Sequence, residues 1–248
     1  LLLKIIDAQK DLSLQIHPDE ESCKHLEGAE PKTEMWYVLD HTDDAQIMAG
    51  IKEGITEEMF RSKVNDPEVR DLMKIYDSSK GQAYFIKATT MHAIGAGNLI
   101  YEIQQNSNTT YRVSDWGRVD KDGNPRQLHV EEAMTCMKYK NPDSTPVFYS
   151  VKDCKYTPQS EESFFQIRQL ACCDFFKVEE FSLNGQLEAY TDDSSFHTLY
   201  AVNGDLQLEH KRKSYTLKLG QSCLIPAKAG EYCVTADSNC KIIRSRIS

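Results

Sequence analysis

Long hydrophobic runs, surplus positive charge and glycine-rich phosphate loops are all missing from this sequence, and each absence removes a class of function. The apolar stretch at the start of the chain, Leu1–Leu3 and Ile5–Ile6, is interrupted by Lys4 and Asp7, and no uninterrupted run exceeds the five residues Met35–Leu39. Such runs fall far short of the about 20 apolar residues that a membrane helix requires, so no membrane partner is expected. Lys and Arg together number 29 against 38 Asp and Glu, a net charge of −9. The chain therefore lacks the basic face with which a protein grips nucleic acid, although a few local cations would still hold a small anion. Neither a Gly-x-Gly-x-x-Gly fingerprint nor a Gly-Lys-Ser/Thr loop is present, which sets nucleotide chemistry aside. The eight cysteines are too sparse in 248 residues for a disulfide scaffold, and no Cys-x-x-Cys pair has zinc-ribbon spacing. They read as free thiols of a reducing compartment.

An initiator methionine is missing too: Leu1-Leu2-Leu3-Lys4-Ile5-Ile6 reads as a strand already under way. No basic segment precedes it and no small-residue cleavage site follows it, so it makes a poor signal peptide. An N-terminally truncated chain is the expectation.

What is present is enough apolar material for a real core, 40% of residues with 9% aromatic. Period-two patterning predicts strands at Leu1–Ile6, Ser13–His17, Glu34–Leu39, Gln46–Gly50, Ala83–Ile86, Ile100–Gln104 and Thr110–Ser114. Between Thr56 and Tyr76 the period changes. Met59, Phe60 and Val64, then Val69, Leu72, Met73 and Tyr76, recur at helical spacing around Pro67 and predict two short helices beside the sheet. A further amphipathic piece spans Val130–Met137, and Asn141–Pro146 and Tyr156–Glu162 are turn-rich. From Phe164 onward short strands alternate with turn signals such as Asn184-Gly185, Asn203-Gly204-Asp205 and Leu219-Gly220-Gln221. Such regularity points to a barrel or jelly roll rather than a parallel α/β sheet.

Chemistry concentrates in the first half. Gln15 and His17 stand two apart on a strand, so both side chains project from one face. Glu34 leads the next strand and His92 follows a third. Two imidazoles, a carboxylate and an amide oxygen form a mixed N/O set suited to zinc, and equally open to Mn, Fe, Co or Ni. Either histidine alone reads as a surface or core residue, and it is their joint appearance with Gln15 and Glu34 that points to a metal; His25, His41, His129, His197 and His210 lack comparable company.

Four segments then carry a resemblance: Ser13-Leu-Gln-Ile-His-Pro-Asp-Glu20, Lys32-Thr-Glu-Met-Trp-Tyr-Val-Leu39, His92-Ala-Ile-Gly95, and Glu102 through Trp116-Gly117-Arg118. In this order and spacing they resemble type I mannose-6-phosphate isomerase of the cupin superfamily, in its short bacterial form. The resemblance implies a mainly β fold of tandem cupin jelly-roll barrels, a bicupin, with a small helical insertion near residues 56–76. A metal-binding catalytic cupin would occupy residues 1–140, a linker 141–163 and a cupin-like barrel without metal 164–248. It also implies a cytoplasmic enzyme, monomer or weak homodimer, with one Zn2+ per chain. The reaction would interconvert mannose 6-phosphate and fructose 6-phosphate through an enediol.

Carried over by position, Gln15, His17, Glu34 and His92 are the zinc ligands, and Lys4, Lys32 and Arg112 line the sugar-phosphate pocket. Arg112 would stabilise the developing enediolate; as a surface residue it would instead pair with Asp115 or Glu102. Lys32, two before Glu34, would bind substrate or relay a proton, or else lie in solvent after Pro31. Glu102 matches a carboxylate ten residues before the arginine, and is the candidate base.

Three departures leave another metal-dependent cupin acting on sugar phosphates, or a non-catalytic metal- or sugar-binding cupin, as alternatives. Asn108 replaces an aspartate, Lys87-Ala-Thr-Thr90 replaces Pro-Ala-Gly, and Pro31 stands where longer members have a histidine. Arg118 reads as a phosphate contact or a salt bridge. His197 reads as structural and His210–Lys213 as a solvated hairpin tip.

Overall fold

Among the described residues, nine short strands build the first half of the chain, with the single-turn helix α1 (Glu20–Cys23) after the second: β1 (Leu2–Asp7), β2 (Leu14–Ile16), β3 (Glu34–His41), β4 (Gln46–Ile51), β5 (Met73–Asp77), β6 (Ala83–Ile86), β7 (His92–Ile94), β8 (Asn98–Gln104) and β9 (Tyr111–Ser114). The computed structural model describes residues 1–64, 66–138, 147–148 and 154–248. Asn141–Pro146, read above as turn-rich, lies outside the described residues. The chain divides into two units, Leu1–Thr145 and Pro146–Ser248, and both are mainly β.

In the first unit β1-β8-β3-β6 form one sheet and β5-β4-β7-β2-β9 another, paired antiparallel throughout. Alternating side chains give each sheet two faces. Trp36, Val38, Ile86 and Ile100 of the first sheet interleave with Ile47, Ala49 and Ile94 of the second in one core. The opposite face of the five-stranded sheet offers Leu14, Ile16, Met48 and Val113 to a second core. That core is closed by Phe60 of α2 (Glu57–Lys63), Val69 and Leu72 of a 3-10 turn (Pro67–Leu72), and Ala133 and Met134 of α3 (Val130–Cys136). The helical insertion thus covers the outer face of one sheet, while the space between the sheets holds an apolar core beside its polar side chains.

Thr56 starts α2 by accepting from the Met59 N–H at 3.2 Å. The helical spacing expected to run on to Tyr76 stops at Leu72. Met73–Asp77 is instead strand β5, whose burial alternates residue by residue along the sheet edge. Tertiary pairing with β4 overrides a spacing that fits both periods.

The second unit contains β10 (Val147–Phe148), β11 (Cys154–Thr157), β12 (Phe164–Cys172), β13 (Phe176–Tyr190), β14 (His197–Asn203), β15 (Leu206–His210), β16 (Lys213–Leu217), β17 (Ser222–Ile225) and β18 (Glu231–Ile247). They pair in the order β10-β12-β13-β18-β14-β17, with β11 beside β13 and the β15–β16 hairpin beside β18. β11, inside the stretch expected as linker, pairs with Gln186–Ala189. Asn184-Gly185 is not a turn. β13 passes straight through it, and the register with β18 shifts between Leu183 and Gly185. Gly185 has φ +134°, and a Cβ there would sit 2.7 Å from the Tyr156 hydroxyl, so the glycine marks a bulge with close backbone approach.

Strands β13 and β18 also bury a charge pair. Arg244 Nε and Nη2 both donate to Glu179 Oε2, at 2.8 and 2.6 Å, with each side chain 1% exposed. The guanidinium lies 4.9 Å from the Phe181 ring centroid. Removing Arg244 takes the nearest cation from the buried Glu179 carboxylate and leaves it Arg246 at 3.8 Å. Arg244→Met is expected to lower the stability of this unit by about 3 kcal/mol, measured by urea unfolding of the full chain.

Candidate metal centre

Strand register, more than sequence proximity, assembles the site. In the five-stranded sheet Ala49, His92, Gln15 and Arg112 stand directly opposite one another on β4, β7, β2 and β9. In the four-stranded sheet one row is Lys4, Glu102, Trp36 and Tyr84; the next along the same face is Leu2, Gln104, Glu34 and Ile86. Directly opposed residues project to the same face, so each sheet offers a polar row to the space between them.

His17, Glu34 and His92 converge there, each fully buried, with their ligating atoms within 4.8 Å of one another. His17 Nε2 is 3.1 Å from Glu34 Oε1, and His92 Nε2 is 3.7 Å from Glu34 Oε2. The Gln15 amide nitrogen lies 3.3 Å from His92 Nε2, so rotating the amide would turn its oxygen toward the same point.

The outer contacts of both histidines are peptide carbonyls. His17 Nδ1 is 2.9 Å from Thr109 O, and His92 Nδ1 is 2.8 Å from Thr90 O. A ring nitrogen facing a carbonyl carries the proton, so each Nε2 presents a lone pair inward. His17 Nε2 is buried and makes no hydrogen bond, although a carboxylate oxygen lies beside it. A lone pair facing a carboxylate repels it, and a cation between them turns that repulsion into coordination. The donor set therefore fits a divalent metal.

Charge tells the same story. Burial works against ionisation of Glu34, but a proton held on His17 or His92, together with the Lys32 ammonium, outweighs it and holds the carboxyl well below the usual carboxylate range; with both rings neutral, a bound cation would take over their part. Burial, with His17 beside it, pushes His92 down to about 3, so its imidazole is neutral near pH 7, as a ligand must be.

Cations surround this core. Lys32, almost fully buried, puts Nζ 2.9 Å from Glu34 Oε1. Lys4 donates to Glu102 Oε2 at 2.8 Å and to Gln104 Oε1 at 2.6 Å. Burial, and Glu34 nearby, raise the Glu102 carboxyl despite Lys4. Arg112 pairs with neither Asp115 nor Glu102; its Nη1 donates to the Gln127 carbonyl at 2.9 Å. Arg118 is taken up by Asp115 and, with Nη1, by the Asp11 carbonyl, which makes it a brace for the loop after β9. Asn108 is exposed. In the second unit His197 Nδ1 meets the Tyr232 hydroxyl at 2.8 Å.

Sequence reasoning passed over Trp36, whose indole N–H lies 3.2 Å from Glu34 Oε2 and 3.0 Å from Glu102 Oε1. Its position two after Glu34 was the available signal. The turn before His92 holds Thr89 at φ +71°, while its N–H donates to the His17 carbonyl at 2.7 Å.

Comparison with known proteins agrees with this geometry. Residues 166–247 match the family described as mannose-6-phosphate isomerase, cupin domain. Mannose-6-phosphate isomerase ManA of Bacillus subtilis is 30% identical over 243 residues, 97% of this chain and 73% of its own length. The mannose-6-phosphate isomerase of Streptococcus mutans is 30% identical over 227 residues, covering 91% of this chain and 68% of its own. A crystal structure of the mannose 6-phosphate isomerase from Bacillus subtilis superposes with a TM-score of 0.82 at 27% identity, over 98% of this chain and 74% of that one.

Two outcomes are expected. The protein should bind one equivalent of zinc or cobalt by calorimetry, and His92→Ala or Glu34→Gln should weaken binding by more than about 100-fold. A β-branched residue in the left-handed region is strained, so Thr89→Gly should raise stability by about 0.5–1 kcal/mol in thermal melts.

Proposed function

Since this chain belongs to the type I mannose-6-phosphate isomerases of the cupin superfamily, we propose that it interconverts mannose 6-phosphate and fructose 6-phosphate at the cluster around Glu34. The observation that carries this reading is the convergence of Lys4, Lys32 and Glu102 with His17, Glu34 and His92. In the same reading Leu1–Thr145 holds the catalytic cupin, and Pro146–Ser248 holds a second cupin barrel without metal.

Isomerisation moves a proton between C2 and C1 of the open-chain sugar, and negative charge builds on O1 and O2 on the way to the enediol. A divalent cation, zinc in this reading, would be held by His17, Glu34, His92 and the Gln15 amide oxygen, and would supply Lewis-acid stabilisation of that charge.

The rest falls to the protein. Glu102 is the base: burial lifts its pKa toward the working range, and Lys4 keeps it oriented. It takes the proton from C2 and returns it to C1, while the O2 hydroxyl proton passes to O1, a transfer that Lys32 would relay. Arg112, on the edge strand beside Gln15, offers a guanidinium fork to the developing enediolate. Lys32 and Lys4 supply positive charge for the hydroxyl and phosphate oxygens.

The test is a coupled assay of mannose 6-phosphate conversion on the full chain, before and after chelation. Activity should disappear with chelator and return with zinc. Glu102→Gln should lower kcat by about 100- to 10,000-fold, and Arg112→Met by about 100- to 1,000-fold. Bound metal without turnover of any hexose phosphate would overturn the isomerase reading in favour of a binding protein.

A further inference from the structure

Trp36 occupies a position that no ligand or base role accounts for. It lies on β3, two residues after Glu34 and directly across from Glu102 on β8. One neighbour is thus along its own strand and the other across the ladder, and all three side chains face the same way. The indole carries a single N–H and no acceptor. Its nitrogen lies 3.0 Å from Glu102 Oε1 and 3.2 Å from Glu34 Oε2, so two buried carboxylates share the one proton.

The sharing extends into a chain. Each carboxylate gives one oxygen to Trp36 and the other to a lysine: Glu34 Oε1 to Lys32 at 2.9 Å, Glu102 Oε2 to Lys4 at 2.8 Å. The indole cannot swing away, since it is 1% exposed and its ring stands edge-on to His92 at 5.2 Å between centroids. Without the N–H, each carboxylate would retain its lysine yet lose the contact that fixes its rotation, and the two would repel.

We infer that Trp36 is a positioning residue: its shared N–H sets the orientation of the metal-binding carboxylate and of the proton-transferring carboxylate relative to each other. The inference rests on the isomerase reading above. It assigns Trp36 no contact with the sugar; its effect passes entirely through Glu34 and Glu102. Loss of the N–H should therefore act on the chemical step and on the geometry at Glu34, with little effect on substrate affinity.

The experiment replaces Trp36 in two ways, by Trp36→Phe and by genetically encoded benzothienylalanine, which keeps the bicyclic shape and lacks the N–H. The second keeps the test sound if the smaller phenyl ring loosens the fold. Each protein is loaded with Co2+, and its visible absorption spectrum is recorded beside kcat and KM for mannose 6-phosphate. The expected result for the isostere is one bound Co2+ with a shifted spectrum. Its kcat should fall by about 10- to 100-fold, with KM within about threefold of wild type. An isostere with wild-type kcat and an unshifted spectrum would reduce Trp36 to a packing residue and overturn the inference. If wild-type protein binds Co2+ but turns over no hexose phosphate, the isomerase reading fails separately. The spectrum then decides: a shift supports the positioning role at Glu34, and no shift overturns it.

Discussion

Everything around the candidate site depends on keeping two carboxylates buried and close together between two sheets. Water would screen them at the surface, but Glu34 and Glu102 are almost wholly enclosed. Like charges about 6 Å apart at an effective dielectric near 20 repel by about 3 kcal/mol, so their coexistence needs compensation on the spot. The protein provides it in a line, Lys32–Glu34–Trp36–Glu102–Lys4, with an acid and a cation at each end and a single shared proton donor in the middle. The two carboxylates are not equivalent. Glu34 is held ionised among cations, while Glu102 is lifted by burial and by Glu34 itself. One environment suits a ligand and the other a base, and the difference comes from neighbours rather than residue type.

The fold makes this line possible by dividing labour between faces. The five-stranded sheet turns Leu14, Ile16 and Met48 toward the helices and His92, Gln15 and Arg112 the other way. Helical cover on the outside leaves the inner face free for polar side chains. β1 and β9 are sheet edges, and they carry Lys4 and Arg112. Lys4, one of the two lysines paired with the carboxylates, thus stands on an edge strand, and Arg112 stands on the edge strand beside Gln15.

How much of this was legible in the sequence differs by element. Gln15 and His17 could be placed on one face by parity alone, since their spacing is two, even though β2 itself ends at Ile16. Lys32 and Glu34 followed by the same rule. The pairing of Lys4 with Glu102 could not be read, because 98 residues separate them and only the β1–β8 register brings them together. The Asn184-Gly185 dipeptide was misleading for a physical reason: left-handed or extended positive-φ glycines serve bulges as well as turns, and only the partner strand decides which. Similarly, Met73 and Tyr76 fit a helix and a strand edge equally, and β4 settled the matter. Trp36 shared parity with Glu34, yet an aromatic on a central strand looks like core until its N–H is seen between two carboxylates.

The outer contacts of His17 and His92 have an evolutionary side. Both imidazoles lean on peptide oxygens, at Thr109 and Thr90, not on side chains. Any amino acid supplies a carbonyl, so point replacement at those two places leaves the ring orientation untouched while the loop keeps its path. The letters at these two places are therefore free to change. Insertions and deletions are another matter: one added residue would slide the carbonyl out from under its histidine. The centre is thus sensitive to the length of these loops and tolerant of their spelling.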